Sequence, residues 1–336
     1  MSETNSREMQ PVRACVLCGT AERIPVKGVS WKGLAFSYSI CGRCGHKYMD
    51  PAPTPASLDA FFKEQYWQDN LSAEGFPTNP GYDDKSLDQL ALRQEKYRIS
   101  YEHVRRDTLA MRPITRQTRF LEVGCAFGYT LEYLHRDFGC VVHGIEPSDA
   151  AIERCRQPGT IELVERSAEA FFVGKGPVAP ENRYDVIVFR HVLETLLDPK
   201  PVLRGVREYL KEDGLLLIYS PNVEYYDLMS PFTPHCYSPE TMRRLLACAG
   251  LDVTRLVAPE SPVDRATALR VKPSYEMVVF GRRGAARDVE HPKVAPLSIV
   301  RRIELGNAAS KWNQLFAGDL AVLFRNKLRD RLGRRR

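Results

Sequence analysis

The sequence predicts an α/β fold built on a doubly wound, mostly parallel sheet, with a small metal-binding module before it and a helical tail after it. Three observations carry this expectation. Arg119 to Val123 reads as a buried strand that enters a glycine-bearing turn, Gly124 to Gly128, and then a helix; a second apolar strand, Cys140 to Ile145, follows and ends on Glu146. Strand, helix, strand, helix in that order begins a Rossmann-like sheet, for which we expect seven strands with helices on both faces. Two Cys-x-x-Cys-Gly pairs precede it, and an apolar, arginine-rich segment closes the chain.

At 336 residues the chain exceeds one ordinary domain. We read 1–11 as a disordered N-terminus, 12–56 as the cysteine module, 57–117 as a helical lid or linker, 118–285 as the sheet domain and 286–336 as a basic helical tail. No apolar run approaches the roughly 18 residues that cross a bilayer, and no signal-peptide layout opens the chain, which points to a soluble, cytoplasmic protein. The net charge of +6 is concentrated, since Ser298 to Arg336 holds ten basic residues against three acids. The body is therefore nearly neutral, and charge alone implies no nucleic-acid groove.

Cys15-x-x-Cys18-Gly19 and Cys41-x-x-Cys44-Gly45 are separated by 22 residues. Cysteines three apart present both sulfurs to one ion, and the following glycine permits a positive-φ turn whose amides point at the thiolates. Four thiolates close a tetrahedral shell and leave no position for substrate, so the site is expected to hold structural zinc. In a reducing compartment such pairs bind metal rather than form disulfides. His46 is expected beside this shell rather than in it.

Asp50 to Pro55 is stiffened by three prolines and leads to an aromatic helix with Phe61, Phe62, Tyr66 and Trp67. Residues 70–82 have loop composition. Leu87, Leu90, Tyr97, Tyr101 and Val104 then recur at near-helical spacing, predicting a helix of about 25 residues.

In the sheet domain the glycine turn lets backbone approach a ligand closely, and Glu146, 22 residues after Gly124, stands where a carboxylate can accept from both ribose hydroxyls of a nucleoside. A nicotinamide dinucleotide would need Gly-x-Gly-x-x-Gly around a pyrophosphate. Here the pattern is Glu122-x-Gly124-x-x-x-Gly128, and an acid inside the strand repels a diphosphate but suits an ammonium group. Tyr184 to Arg190 is a further strand that runs into His191-Val-Leu-Glu194.

With these residues in that order, the chain resembles the class I S-adenosylmethionine (SAM) dependent methyltransferases. Within them it is similar to the branch with an N-terminal CxxC zinc knuckle, which includes sugar C-methyltransferases and enzymes of surface-glycan and natural-product gene clusters. The resemblance covers roughly 12–282. It implies that Glu122, Gly124 and Gly128 hold the methionine end of SAM, that Glu146 binds the ribose, and that Ala168 and Glu169 lie beside the adenine; Cys125 and Arg190 are further cofactor-binding candidates. Ala126 stands where the family often has glycine, which is tolerable with a negative φ. Thr195 stands where a second histidine is common.

Asp198-Pro199 begins a helix with Val202, Leu203, Val206 and Leu210 on one face, expected to stop at Asp213-Gly214; Leu215 to Tyr219 is a buried strand. An aromatic, proline-broken insertion, Tyr225 to Tyr237, follows, and Ser238 caps a helix that ends at Gly250. Insertions at the carboxyl ends of strands cover the ligand crevice, so this loop is the expected substrate lid. Methyl transfer needs alignment, and a base only if the nucleophile carries a proton. His191 and His235 are the candidate bases, each as a neutral imidazole poised near neutral pH. Tyr66, Tyr225 and Tyr226 are candidate acceptor contacts. Where sugar C-methyltransferases resemble His-Glu-His in this loop, the chain reads Pro234-His235-Cys236.

Two last strands are expected at Val253 to Val257 and Glu276 to Phe280, as an antiparallel pair. The tail admits two placements: a helix lying on a membrane surface, or one packed on the body or on a second copy in a homodimer. The function expected is methylation of a hydroxyl or carbon of a small molecule, such as a sugar, glycan precursor or secondary metabolite. The alternative is a SAM-binding or zinc-knuckle scaffold, associated with RNA, that turns nothing over.

Overall fold

The computed structural model describes residues 8–31, 34–66, 89–156, 159–224, 230–258 and 276–285. The tail, residues 70–82, Trp67, Tyr225 and Tyr226 lie outside the described residues. Among those described, no helix is long and apolar enough to cross a membrane.

The N-terminal module contains β1 (Met9–Gln10), β2 (Arg23–Trp31), β3 (Leu34–Cys41), β4 (Lys47–Met49) and β5 (Ala52–Pro53). Strands β2, β3 and β4 form an antiparallel meander, and β1 pairs with β5. Met9 and Gln10 are thus ordered, not part of a disordered terminus; two paired residues are too short to leave a periodic signal in the sequence. Helix α1 (Pro55–Ala60) starts on the Thr54 hydroxyl, which accepts from the Ser57 amide at 3.3 Å, and continues as a π-turn, Phe61–Gln65. Helix α2 (Gln89–Leu109) has 21 residues and buries Tyr101 and Val104.

The sheet domain then runs β6 (Arg119–Val123), α3 (Tyr129–Phe138), β7 (Val141–Ile145), α4 (Asp149–Arg156), β8 (Glu162–Glu165), α5 (Ala168–Phe172), β9 (Tyr184–Arg190), α6 (Pro199–Tyr209), β10 (Leu210–Pro221), β11 (His235–Cys236), α7 (Pro239–Cys248), β12 (Leu251–Val257) and β13 (Glu276–Arg283). Seven of these strands pair in the order β12-β13-β10-β9-β6-β7-β8, parallel except for β13, which is antiparallel to both neighbours. Order reverses between β6 and β9, so the crevice beyond their carboxyl ends is the place for a ligand.

Alternation along the strands divides the core. Phe120, Val186, Val188, Leu215 and Leu217 face α2 and α3, joining Tyr101, Val104, Leu131 and Leu134. Leu121, Ile187, Phe189, Leu216 and Ile218 face the other way and join Phe172 of α5, Val202 and Val206 of α6, and Met242 and Leu245 of α7. Strands buried on both faces read as continuous apolar runs, and each such side chain contributes about 1.5–3 kcal/mol. The second cluster also takes in Cys15, Leu17, Cys41, Cys44 and Tyr48, so the module shares the core of the sheet domain.

Two boundaries differ from expectation. Helix α6 ends at Tyr209, because Leu210 is fully buried, pairs with Tyr184 in the sheet, and receives a hydrogen bond from Arg283 on its carbonyl. The Asp213-Gly214 pair lies inside β10, where the register shifts between Leu210 and Leu215. The insertion before α7 is the larger difference. Strand β11 pairs antiparallel with β4, making a four-stranded sheet with the module. The Tyr38 hydroxyl donates to the carbonyls of Ser230 (3.0 Å) and Thr233 (2.8 Å), and Phe232 stacks on Phe61 at 4.7 Å. The described part of this segment is therefore clasped by the module rather than free to open as a lid.

Candidate active site

The glycine turn is built by left-handed backbone. Gly124 and Gly128 have φ of 70° and 74°, and a Cβ on Gly124 would lie 2.3 Å from Val192 Cγ2. Ala126 also has a positive φ, 50°, contrary to the negative value expected of it. An L-residue there costs about 1–2 kcal/mol. What holds it is its amide, which donates to Glu146 Oε2 at 2.8 Å, and its carbonyl, which accepts from Cys155 Sγ at 2.9 Å. Cys125, beside it, is buried against Gly144, where a Cβ would meet Cys125 Sγ at 2.6 Å. Its side chain packs under the turn.

Glu146 is 5% exposed at the tip of β7, and its other oxygen accepts from the Ser148 amide at 3.0 Å. Burial pushes its carboxyl up to about 7, against the pull of those two amides. A carboxylate has about four acceptor positions, so about two stay open for further donors.

Glu122 and Arg190 lie on neighbouring parallel strands. Glu122 is in register with Val188, which puts Arg190, two residues on, on the same face. Among the described residues, Glu122 Oε2 and Arg190 Nη1 are buried without a hydrogen-bond partner. Burial pushes Glu122 up to about 8, while the Arg190 guanidinium draws it down. An acceptor and a donor buried unpartnered on one face match the ammonium and carboxylate of an amino-acid zwitterion. Ala168 is buried at the start of α5, whose cap is Ser167, and Glu169 lies next to it on the exposed side.

His191 ends β9 with φ of 55°, and its amide donates to the Tyr219 carbonyl at 2.9 Å. Its Nε2 is 2.6 Å from Glu276 Oε1, and its Nδ1 3.4 Å from Glu194 Oε1. Arg190 Nη2 also donates to Glu276, at 3.2 Å. Burial lowers the affinity of the imidazole for its proton, but the two carboxylates outweigh burial and raise it to about 9. The same contact holds Glu276 at about 2. The two carboxylates thus favour the protonated ring of His191 over the neutral base expected of it.

His235 differs from expectation in the opposite sense. It is buried, its Nε2 lies 3.1 Å from the Leu197 carbonyl, and its Nδ1 3.0 Å from His46 Nε2. Burial pushes it down to about 4. It is neutral, but both ring nitrogens are engaged, so it has no nitrogen free to take a substrate proton. Tyr66 packs edge-on against Phe61 and Phe232 within an aromatic cluster.

The structure thus assembles Glu122, Gly124, Gly128, Glu146, Arg190 and His191 at one end of the sheet, pairs the His235 strand with the module and puts Tyr66 in the aromatic cluster of Phe61 and Phe232. Sequence reasoning missed Glu276 and did not single out Glu194 as a site residue. Glu276 carries no local signal, because it meets His191 only through sheet order.

In the module, Cys15, Cys18, Cys41 and Cys44 place their sulfurs within 4.8 Å of one another, with Cys15 to Cys44 at 3.7 Å and Cys18 to Cys41 at 3.5 Å. Gly19 and Gly45 have φ of 74° and 75°, and each donates its amide to the carbonyl of the first cysteine of its pair. Zinc–sulfur bonds of about 2.3 Å in a tetrahedron need sulfurs about 3.8 Å apart, so this donor set fits zinc.

The fold is an α/β sheet domain with a crevice at the carboxyl ends of its parallel strands, where such folds take ligands. A family model for the methyltransferase domain matches residues 88–256. The chain belongs to that methyltransferase-domain family, and it spans less than two thirds of the length of the curated relatives it matches. It is 25% identical over 155 residues to a ubiquinone biosynthesis O-methyltransferase of Neisseria meningitidis serogroup C, a match spanning 41% of this chain and 65% of that protein. Among solved structures it is similar to a SAM-dependent methyltransferase from Mesorhizobium loti, with 16% identity, TM-score 0.41, and coverage of 53% of this chain and 96% of the other. Another is the magnesium protoporphyrin IX methyltransferase of Synechocystis PCC 6803, with 11% identity, TM-score 0.44, and coverage of 68% and 99%.

Proposed function

We propose that the enzyme methylates a hydroxyl or carbon of a small molecule such as a sugar, glycan precursor or secondary metabolite, and that zinc bound by Cys15, Cys18, Cys41 and Cys44 fixes its N-terminal module. The observation that carries the cofactor side is the pair of buried, unpartnered groups on Glu122 and Arg190. Glu122 would hold the ammonium of SAM, Arg190 its carboxylate, and Glu146 its ribose hydroxyls. Bound SAM supplies an electrophilic methyl on a sulfonium, whose charge disappears during transfer, so the chain's task is chiefly to align and desolvate the reactants.

On the acceptor side, His191 is a cation between Glu194 and Glu276 and serves to orient the acceptor rather than to deprotonate it. The similarity to an enzyme named an O-methyltransferase favours a hydroxyl over a carbon acceptor. Incubation with methyl-labelled SAM and a panel of nucleotide sugars, phenols and catechols tests the reading. Label is expected in at least one hydroxylated small molecule. Label found only in RNA or protein would overturn the small-molecule assignment.

A further inference from the structure

The module and the sheet domain are joined by a directional line of hydrogen bonds. His46 follows Gly45 in the second cysteine turn, and its carbonyl accepts from the Cys41 amide at 2.9 Å. Its ring is buried beside those of Tyr48 and Tyr237, with centroids 6.1 and 5.2 Å away. His46 Nε2 lies 3.0 Å from His235 Nδ1, and His235 Nε2 lies 3.1 Å from the Leu197 carbonyl. A carbonyl can only accept, so His235 carries its proton on Nε2 and leaves Nδ1 bare; Nδ1 therefore accepts from the N–H of His46. One tautomer is fixed in each ring, and the sense of donation runs from the cysteine turn to Leu197.

Leu197 lies in the stretch that starts at His191, carries Glu194, and ends at Asp198, the cap of α6. The Tyr237 hydroxyl donates to the Leu193 carbonyl in the same stretch, at 3.5 Å. His235, Tyr237, Glu194 and Ser220 line one small cleft. Two leucines would fill the space of two histidines without burying polar atoms, so packing alone does not account for the pair.

We propose that His46 and His235 are positioning residues: they transmit the metal-loaded geometry of the cysteine turn to residues 191–198 and so set Glu194 and His191 on the acceptor side, while Glu122, Ala126 and Glu146 on the cofactor side stay as they are. The label "acceptor side" rests on the methyltransferase reading above; the coupling itself is a property of the chain and is tested separately.

The experiment is hydrogen exchange on full-length protein, zinc-loaded and after chelation, with SAM calorimetry on the same samples. Chelation is expected to speed exchange by about fivefold or more at residues 193–202, the effect of losing a hydrogen bond that holds a segment. In the loaded protein, His46→Phe and His235→Phe reproduce that increase with zinc content and SAM affinity unchanged. His235→Gln, whose amide N–H can still donate to Leu197, restores protection, which a merely space-filling role would not produce. A change on chelation confined to residues 8–53, or protection at 193–202 that is the same in His235→Phe and His235→Gln, overturns the proposal. Absence of SAM heat in every sample would instead count against the methyltransferase reading and leave the exchange result to decide the relay.

Discussion

Glu122 and Arg190 face the same side of two adjacent strands, each with one buried polar atom that nothing in the described chain satisfies. The carboxyl of Glu122, raised by burial from 4.5 to about 8, resists ionisation until a cation arrives. A raised acid pKa means that the ligand-free fold gains stability from the protonated form, fully present below about 4.5 and lost as pH rises through about 8. SAM binding needs the carboxylate, so its affinity should run the other way, climbing by up to about tenfold per pH unit until near 8 and then levelling. Titration calorimetry across this range measures it. Glu122→Gln should bind about 10–100-fold more weakly and lose most of the slope, as expected for a charge-assisted hydrogen bond. A slope unchanged in that variant would remove Glu122 from the ammonium site.

Glu146 has two tasks that a pair of variants separates. It accepts the Ala126 and Ser148 amides, and in the proposed function it also holds the ribose hydroxyls. Glu146→Ala should lower stability by about 1–3 kcal/mol through two orphaned amides and abolish measurable SAM binding. Glu146→Gln keeps a carbonyl acceptor, so it should fold more stably than the alanine variant while still binding SAM at least about tenfold more weakly. Urea unfolding and calorimetry on both variants check this, and a glutamine variant with native affinity would contradict the ribose assignment.

Ala126 is strained by its neighbours rather than by its own sequence context. With φ of 50° it should gain from glycine, since about 1–2 kcal/mol of left-handed strain is relieved against about 0.5–1 kcal/mol of added chain entropy. We expect Ala126→Gly to raise the urea midpoint, and Ala126→Val, branched at Cβ, to lower it. The reverse order would mean that the turn relaxes to negative φ in solution.

Much of the architecture was legible because it is written locally. Ser238 and Thr241 cap α7 reciprocally, the apolar runs of β9 and β10 declare strands buried on both faces, and each cysteine pair carries its own glycine. What could not be read was the state of the two histidines. An imidazole's protonation is set by its partners, and those lie far away in the chain: Glu276 is 85 residues from His191, and His46 is 189 from His235. Both histidines were candidate bases for the same reason, their place at the rim of the sheet, yet carboxylate partners raise one to about 9 and burial pushes the other down to about 4. Ala126 failed for a related reason. Its φ is fixed by Glu146 and Cys155, neither of which its own neighbours in sequence announce.

The His191 imidazolium gives the last prediction. Its folded pKa of about 9 exceeds the ordinary 6.5, so it contributes stability that is fully present below about 6.5 and is lost as pH rises through about 9. Nitrogen-15 spectra of the imidazole should show both nitrogens protonated at neutral pH, with the transition in the alkaline range. Glu276→Gln removes the carboxylate 2.6 Å from Nε2 and should bring the transition down toward the ordinary value, flattening the alkaline loss of stability. Glu194→Gln, which removes the carboxylate facing Nδ1, should act in the same direction. If the wild-type ring titrates near 6.5 and ignores both substitutions, His191 is not held between these carboxylates, and its role as a neutral base returns.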